Sequence, residues 1–275
     1  MTVAAAVSPT SIVAERPTAN AVSAGVDARL ADHRHVWRRK PLLRDIYREF
    51  FAAVRARLAE LDGPIVEIGG GPGCFKEYQQ GLDRTRPILS FDVTPCPWLD
   101  FAADACDLPL KRASVGSLVM IDVLHHLAYP QRFFESAVRV LKPGGRMVMI
   151  EPYVSPASWP VYKFIHPEPV DGRVRPLEMP ADQPVNDPAR AWDSNSAIPT
   201  VLFWRDKWRF EARFPDLRIV ERRRMSFLLY PLSGGFGFPS LIPSWAVAAV
   251  ERVESWLAPF GRWLAFRCLV TVEKR

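Results

Sequence analysis

Between Pro64 and Gly73 the chain reads Pro-Ile-Val-Glu-Ile-Gly-Gly-Gly-Pro-Gly. An apolar strand over 64–68 carries a single acid, Glu67, and then enters a loop with glycine at every second position: Gly69, Gly71 and Gly73. Such a loop lets bare backbone approach a ligand, and the helix that starts at Cys74 offers unpaired N–H groups beside it. The chain is therefore committed to a strand–loop–helix unit with a ligand at its turn. By spacing the motif is Glu-x-Gly-x-Gly-x-Gly. It differs from the Gly-x-Gly-x-x-Gly of dinucleotide enzymes, whose third glycine would fall at Cys74.

Strand-like runs over 87–91, 101–104, 118–121 and 146–150 follow, alternating with helical patterns over 74–82 and 132–141. Continuous apolar strands separated by helices imply a parallel, doubly wound α/β sheet. Three of these runs end in an acid, at Asp92, Asp122 and Glu151, and ligands in open parallel sheets lie beyond the strands' carboxyl ends. Upstream, 31–61 is an amphipathic helical stretch divided by Pro41. Downstream, 152–188 carries a proline every few residues and is expected to cover the strand ends as a long connection. Residues 200–214 read as helix, 217–229 as strand and 244–260 as an amphipathic helix bearing Trp245 and Trp256. A closing strand is expected over 263–273. The expected organisation is a disordered lead over 1–30, without the basic start of a secretory signal, and one domain over 31–275. That domain comprises a core over 62–151, a covering insertion over about 152–199 and sheet completion over 200–275.

With 48% hydrophobic and 24% charged residues and no apolar run near 20 residues, a membrane-spanning class is excluded. The four cysteines form no CxxC pair and no zinc spacing, so a reduced, cytoplasmic setting and no metal are expected. A net charge of +6, concentrated in Arg34–Lys40, Arg205–Arg213 and Arg222–Arg224, suits nucleic acid, anionic lipid or solvent alike.

Five segments in order resemble the motifs of the class I S-adenosylmethionine-dependent methyltransferase family: Val66–Gly73, Ser90–Asp92, Ala103–Pro109, Asp122–Leu127 and Val140–Gly145. The resemblance covers about 42–151 well. It implies a Rossmann-like seven-stranded sheet, mostly parallel with an antiparallel last strand, helices on both faces, and S-adenosyl-L-methionine as cofactor. It further implies that the Gly69, Gly70, Gly71 and Gly73 backbone meets the methionine part, with Glu67 bracing the loop or the amino group. Asp92, beside Val93, would bind the ribose hydroxyls. Asp104 and Ala105 would read the adenine edge, with Leu108 against the ring, and Asp122 and Val123 would line the sulfonium end. The family's frequent glutamate is the shorter Asp92 here. An Asn/Asp-Pro-Pro-aromatic motif is missing after the fourth strand, which argues against nucleobase N-methylation and makes nucleic acid an unlikely partner.

Candidate bases for an acceptor are His125, His126, Glu151 and His166. Tyr153, Trp159, Glu168 and Trp192 are candidates for contact with it, and Tyr162 and Phe164 for an apolar wall. Arg44 and Tyr47 are placed to cover the cofactor. The expected reaction is methyl transfer, most simply to oxygen, on a small-molecule, glycan or lipid-linked acceptor. The apolar C-terminal half beside arginines suits peripheral contact with an anionic membrane's inner face, against the commoner outcome of burial on the sheet. Two alternatives stand: an RNA or protein methyltransferase, and a catalytically silent cofactor-binding subunit.

Overall fold

The computed structural model describes residues 12–13, 28–178 and 193–275, so Trp192 lies outside the described residues. Two helices lead, α1 (Ala28–Arg39) and α2 (Pro41–Arg55). Pro41 lacks a donor and opens α2, where no donor is needed. Arg44 donates Nη1 to the carbonyls of Trp37, at 3.1 Å, and Arg38. Its guanidinium thus closes the end of α1 and does not reach over a cofactor site.

Strand β1 (Ile65–Ile68) leads into α3 (Cys74–Leu82), then β2 (Ile88–Asp92), β3 (Phe101–Ala102) and β4 (Val115–Ile121). Helix α4 (Pro130–Val140) precedes β5 (Leu141–Pro152), and α5 (Ser158–Phe164) follows. After α6 (Ile198–Thr200), a π-helical turn over Val201–Arg205 and α7 (Lys207–Arg213) come β6 (Leu217–Met225), α8 (Leu229–Leu232), α9 (Val247–Leu257), α10 (Gly261–Leu264) and β7 (Arg267–Lys274). The seven strands form one sheet in the order β3-β2-β1-β4-β5-β7-β6. Strand β7 runs antiparallel to both neighbours, and the other pairings are parallel. This is the Rossmann-like sheet with an antiparallel last strand that the motifs implied.

Strand periodicity distributes the core. Leu118 and Met120 pack with Phe133, Phe134 and Phe203 on one face, while Val119 points to the other, with Phe50, Phe51 and Phe75. Parallel strands covered on both faces need apolar residues at every position, and β4 is buried throughout its first six residues.

Three elements differ from expectation. The helix read over 200–214 is interrupted by the π-turn. The stretch 261–264 is helical, so the last strand begins only at Arg267. Helix α5 forms within the proline-rich cover because Pro160 falls in its first turn. There Ser155 and Ser158 exchange backbone-to-hydroxyl hydrogen bonds of 2.8 and 3.0 Å, a reciprocal cap that the proline content obscured. Helix α9 has no fully buried residue, yet Val247, Val250 and Leu257 pack partly buried against the core, and Phe227 and Leu229 of the same apolar segment are buried.

Candidate active site

The carboxyl ends of β1, β2, β4 and β5 border a cavity of about 730 Å³, within the range of small-molecule sites. At one end lies the glycine loop. Gly69, Gly71 and Gly73 have φ of 64°, 46° and 76°, the left-handed region that favours glycine. A Cβ on Gly69 would stand 2.4 Å from Val123 Cγ2, and one on Gly70 would stand 2.1 Å from Ser90 Oγ, so the cradle excludes side chains. Glu67 is buried beneath the loop and lines the cavity. Its Oε2 has no hydrogen-bond partner among the described residues, and burial pushes its carboxyl up to about 7. Asp92 accepts from Gly71 N at 3.0 Å and from Thr94 N at 3.2 Å, and burial raises its pKa. A buried orphan carboxylate oxygen beside bare backbone fits the cationic, nucleoside-linked cofactor that the motifs implied.

Val93, Ala105, Asp122 and Val123 also border the cavity. Asp104 and Leu108 do not. Asp104 Oδ1 accepts from Cys106 N at 2.8 Å, which shapes the turn, and Leu108 is 1% exposed in the core. At this stretch Ala103 and Ala105 border the cavity in place of those two side chains.

The other end is built from side chains that arrive from distant segments. Asp122, at φ 61° where β4 leaves the sheet, accepts from Tyr47 Oη at 2.8 Å and from Arg267 Nη2. Arg267 is 3% exposed, with Tyr230's ring 4.6 Å from its guanidinium. Burial disfavours its charge, but Asp122 together with Tyr230, Tyr47 and Tyr162 outweighs this and holds the guanidinium ionised. Glu151 is fully buried. Its Oε1 accepts from Val123 N (2.9 Å) and Leu124 N (2.8 Å), and its Oε2 lies 2.7 Å from His125 Nδ1. Nε2 of His125 lies 3.1 Å from Glu168 Oε2. Burial pushes His125 down, but the hydrogen bonds to Glu151 and Glu168 win and hold it at about 10. Glu168 responds in kind: burial would raise its pKa, and the bonds to His125 and His126 keep it well below the usual carboxylate range. Both nitrogens of His125 are engaged, so it orients its neighbours and is not a free base. Glu151, bonded on both oxygens, is likewise a brace beneath the cavity.

His126 Nδ1 lies 3.1 Å from the Asp193 carbonyl, and its Nε2 is 3.5 Å from Glu168 Oε1. His166 borders the cavity and accepts from Glu168 N at 3.2 Å through Nδ1, and burial lowers its pKa. Tyr162 lines the cavity and donates to Phe266 O at 2.5 Å. Tyr153 turns away, its hydroxyl accepting from Arg224 Nε at 2.7 Å. Trp159 and Phe164 stand exposed, edge to face at 5.8 Å, outside the cavity lining. The sequence reading missed Arg267, Tyr230, His33 and Phe236, all of which border the cavity. Arg267 left a signal, a charge standing directly before the uncharged run 268–272.

Residues 67–149 match the family model described as a methyltransferase domain. The matched stretch is a methyltransferase domain, in keeping with the motifs. It holds the glycine loop, Asp92, Asp122 and the two histidines. Among curated proteins it is 30% identical over 96 residues to the tRNA (carboxymethyluridine(34)-5-O)-methyltransferase of Macaca fascicularis, covering 31% of this chain and 14% of that protein. It is 28% identical over 109 residues to the compactin diketide synthase of Penicillium citrinum, covering 32% of this chain and 4% of that protein. The chain thus spans at most about a seventh of the curated relatives' lengths. In fold it is similar to the geranyl diphosphate C-methyltransferase of Streptomyces coelicolor A3(2), solved with Mg2+, geranyl diphosphate and S-adenosyl-L-homocysteine. That likeness has a TM-score of 0.50 at 13% identity over 96% of this chain and 90% of the other, and it speaks to the fold.

Proposed function

We propose that this methyltransferase acts on oxygen in an apolar, lipid-linked small molecule or glycan. The observation that carries the reading is the continuity between cavity and surface. Ile165, Phe238 and Leu241 line the cavity, yet are 59%, 50% and 71% exposed. Their elements are joined to others bearing exposed aromatics. Ala157 N donates to Trp263 O at 3.0 Å, and Glu254 of α9 accepts from Phe227 N and Leu229 N at 2.7 and 2.9 Å. Trp245, Trp256 and Trp263 are 83%, 69% and 50% exposed. Large exposed apolar side chains around a cavity mouth suit an amphiphilic acceptor or the membrane surface that carries it. Among the described residues no helix is long and apolar enough to cross a membrane.

On this reading the chain 31–275 works as one domain, with 152–199 as the cover. The cofactor supplies an electrophilic sulfonium methyl, so positioning and exclusion of water do most of the work. The glycine loop, Glu67 and Asp92 would hold the cofactor, and Asp122, fixed by Tyr47 and Arg267, would border its reactive end. His166 would border the acceptor at that end of the cavity. The basic clusters give little support to an RNA acceptor. Arg34 pairs with Glu77, Arg205 with Asp206, Arg209 with Glu178 and Arg213 with Glu135. Lys40 Nζ donates to the carbonyls of Ser233 and Phe238 at 2.7 and 2.8 Å, pinning the apolar loop.

The test is incubation of the full chain with methyl-labelled S-adenosylmethionine and fractionated cell extract. Label is expected in the organic-extractable fraction in a base-stable ether. Label in RNA or protein would overturn the acceptor. Cofactor binding without any transfer would favour a silent binding subunit.

A further inference from the structure

We propose that His125 Nε2, His126 Nε2 and a Glu168 carboxylate oxygen form a binding site for one divalent transition-metal ion at the acceptor end of the cavity. The three residues offer ligand atoms that all lie within 4.8 Å of one another. The two imidazole-to-carboxylate separations are 3.1 and 3.5 Å. Ligands held at ~2.1 Å from a common ion stand ~3.0–3.5 Å apart, and His125 Nε2 meets that spacing at Glu168 Oε2 and His126 Nε2 at Glu168 Oε1, the two oxygens of one carboxylate. The remaining gap closes by rotation of His126, the more exposed of the two rings, with side-chain exposure of 16% against 2% for His125.

The surroundings are those of a metal site and not of a chance cluster. Metal-bound histidines are oriented by an acceptor on their other nitrogen. Here Glu151 Oε2 stands 2.7 Å from His125 Nδ1, and the Asp193 carbonyl stands 3.1 Å from His126 Nδ1. Both Nε2 atoms are thereby directed to one point, facing Glu168. Glu168 is itself fixed, between Pro167 and Pro169 and with its N–H on His166 Nδ1 at 3.2 Å. The 195–196 turn ties the two segments together. Asn195 N donates to His125 O at 2.8 Å, and Ser196 N to Pro169 O at 3.0 Å.

The donor set selects the ion. Two imidazoles and one carboxylate suit zinc, iron(II), manganese(II) or cobalt(II), whereas magnesium and calcium prefer oxygen. Three protein ligands leave coordination positions open, the arrangement of catalytic and not structural sites. All three residues border the cavity, so the open positions face it and would take an oxygen of the acceptor, a hydroxyl or diol. The ion displaces the proton shared by His125 Nε2 and Glu168 Oε2. The acceptor's place in this picture rests on the methyl-transfer reading, but the ion's binding does not.

The test is titration of the chelator-treated full chain with cobalt(II) and then zinc(II), with neither cofactor nor acceptor present. Visible absorption and calorimetry are the readouts. One ion per chain is expected at micromolar concentration, with binding weakened tenfold or more in Glu168→Gln and in His126→Gln and within twofold of normal in Trp159→Ala, which lies outside the cavity. Melting curves and S-adenosylhomocysteine binding establish that the variants are folded. Absence of stoichiometric binding to the folded chain up to 100 µM would overturn the site, as would binding indifferent to Glu168→Gln and His126→Gln. Because methyl transfer is not read in this titration, its failure leaves the reading of function untouched, and the converse holds too.

Discussion

The two ends of the cavity are built differently. The glycine-loop end consists of backbone and strand-end acids drawn from 67–105, where each group follows its strand by a few residues. The other end assembles Tyr47, Asp122, His125, Glu151, Glu168 and Arg267, which are scattered over 220 positions (267 − 47) of the chain. The first end recognises through shape, because nothing larger than hydrogen fits at Gly69 or Gly70. The second recognises through charge held out of water. A site of the first kind tolerates little change in backbone, and one of the second kind little change in charge balance.

The sharpest way to test that contrast is to unbalance the charged end. Arg267→Met removes the buried cation and leaves Asp122 facing Tyr47 without it. A loss of about 3–5 kcal/mol in stability is expected from chemical denaturation, as for a buried pair broken on one side. A loss below about 1 kcal/mol would mean that Asp122 is already well solvated. The matching change at the shape-selective end is Gly69→Ala, whose methyl group must displace Val123. S-adenosylhomocysteine affinity should fall by about 100-fold, or about 3 kcal/mol, while the melting temperature changes much less than in Arg267→Met. Equal losses of stability would erase the distinction between the ends.

Glu67 tests a buried ionisable group in the glycine-loop end. Its folded carboxyl titrates at about 7, above the ordinary 4.5, so the folded chain binds the extra proton between those values. Its contribution to stability is complete below about pH 4.5 and is lost as pH rises through 7, by about 3 kcal/mol in total. Glu67→Gln should flatten that slope in denaturation curves taken from pH 4.5 to 8. If the cofactor's ammonium meets this carboxylate, affinity measured by calorimetry should climb as pH approaches 7 and then level off. A flat profile in the parent chain would remove Glu67 from cofactor recognition.

The smallest effect is expected at the rim. Ile165→Ser and Leu241→Ser lie on exposed surface, so stability should move by no more than about 0.5 kcal/mol. Co-sedimentation with anionic phospholipid vesicles should nevertheless drop severalfold, with S-adenosylhomocysteine affinity unchanged. Unaltered sedimentation would take the membrane surface out of the reading.

The glycine-loop end could be read from the chain almost residue by residue. Glycine spacing and strand-end acids are local features, and local backbone geometry sets them. Leu108 and Asp104 show the limit even there, since the direction of a side chain at a turn depends on what packs behind it. In the proline-rich cover the reciprocal Ser155–Ser158 cap made a helix where composition suggested a loop. Tyr153, one residue past its strand, went to Arg224 instead of to the cavity.

The order of apolar runs, glycines and acids by itself determined the doubly wound sheet and the glycine loop at its strand ends. These follow from steric and hydrogen-bonding rules that act over a few residues. Only the tertiary structure decided that Arg267 reaches Asp122 across 145 positions, that Glu168 closes on the paired histidines, and that α9 stays on the surface. Long-range charge pairing and burial depend on which faces of the fold meet, and no window of sequence contains both partners.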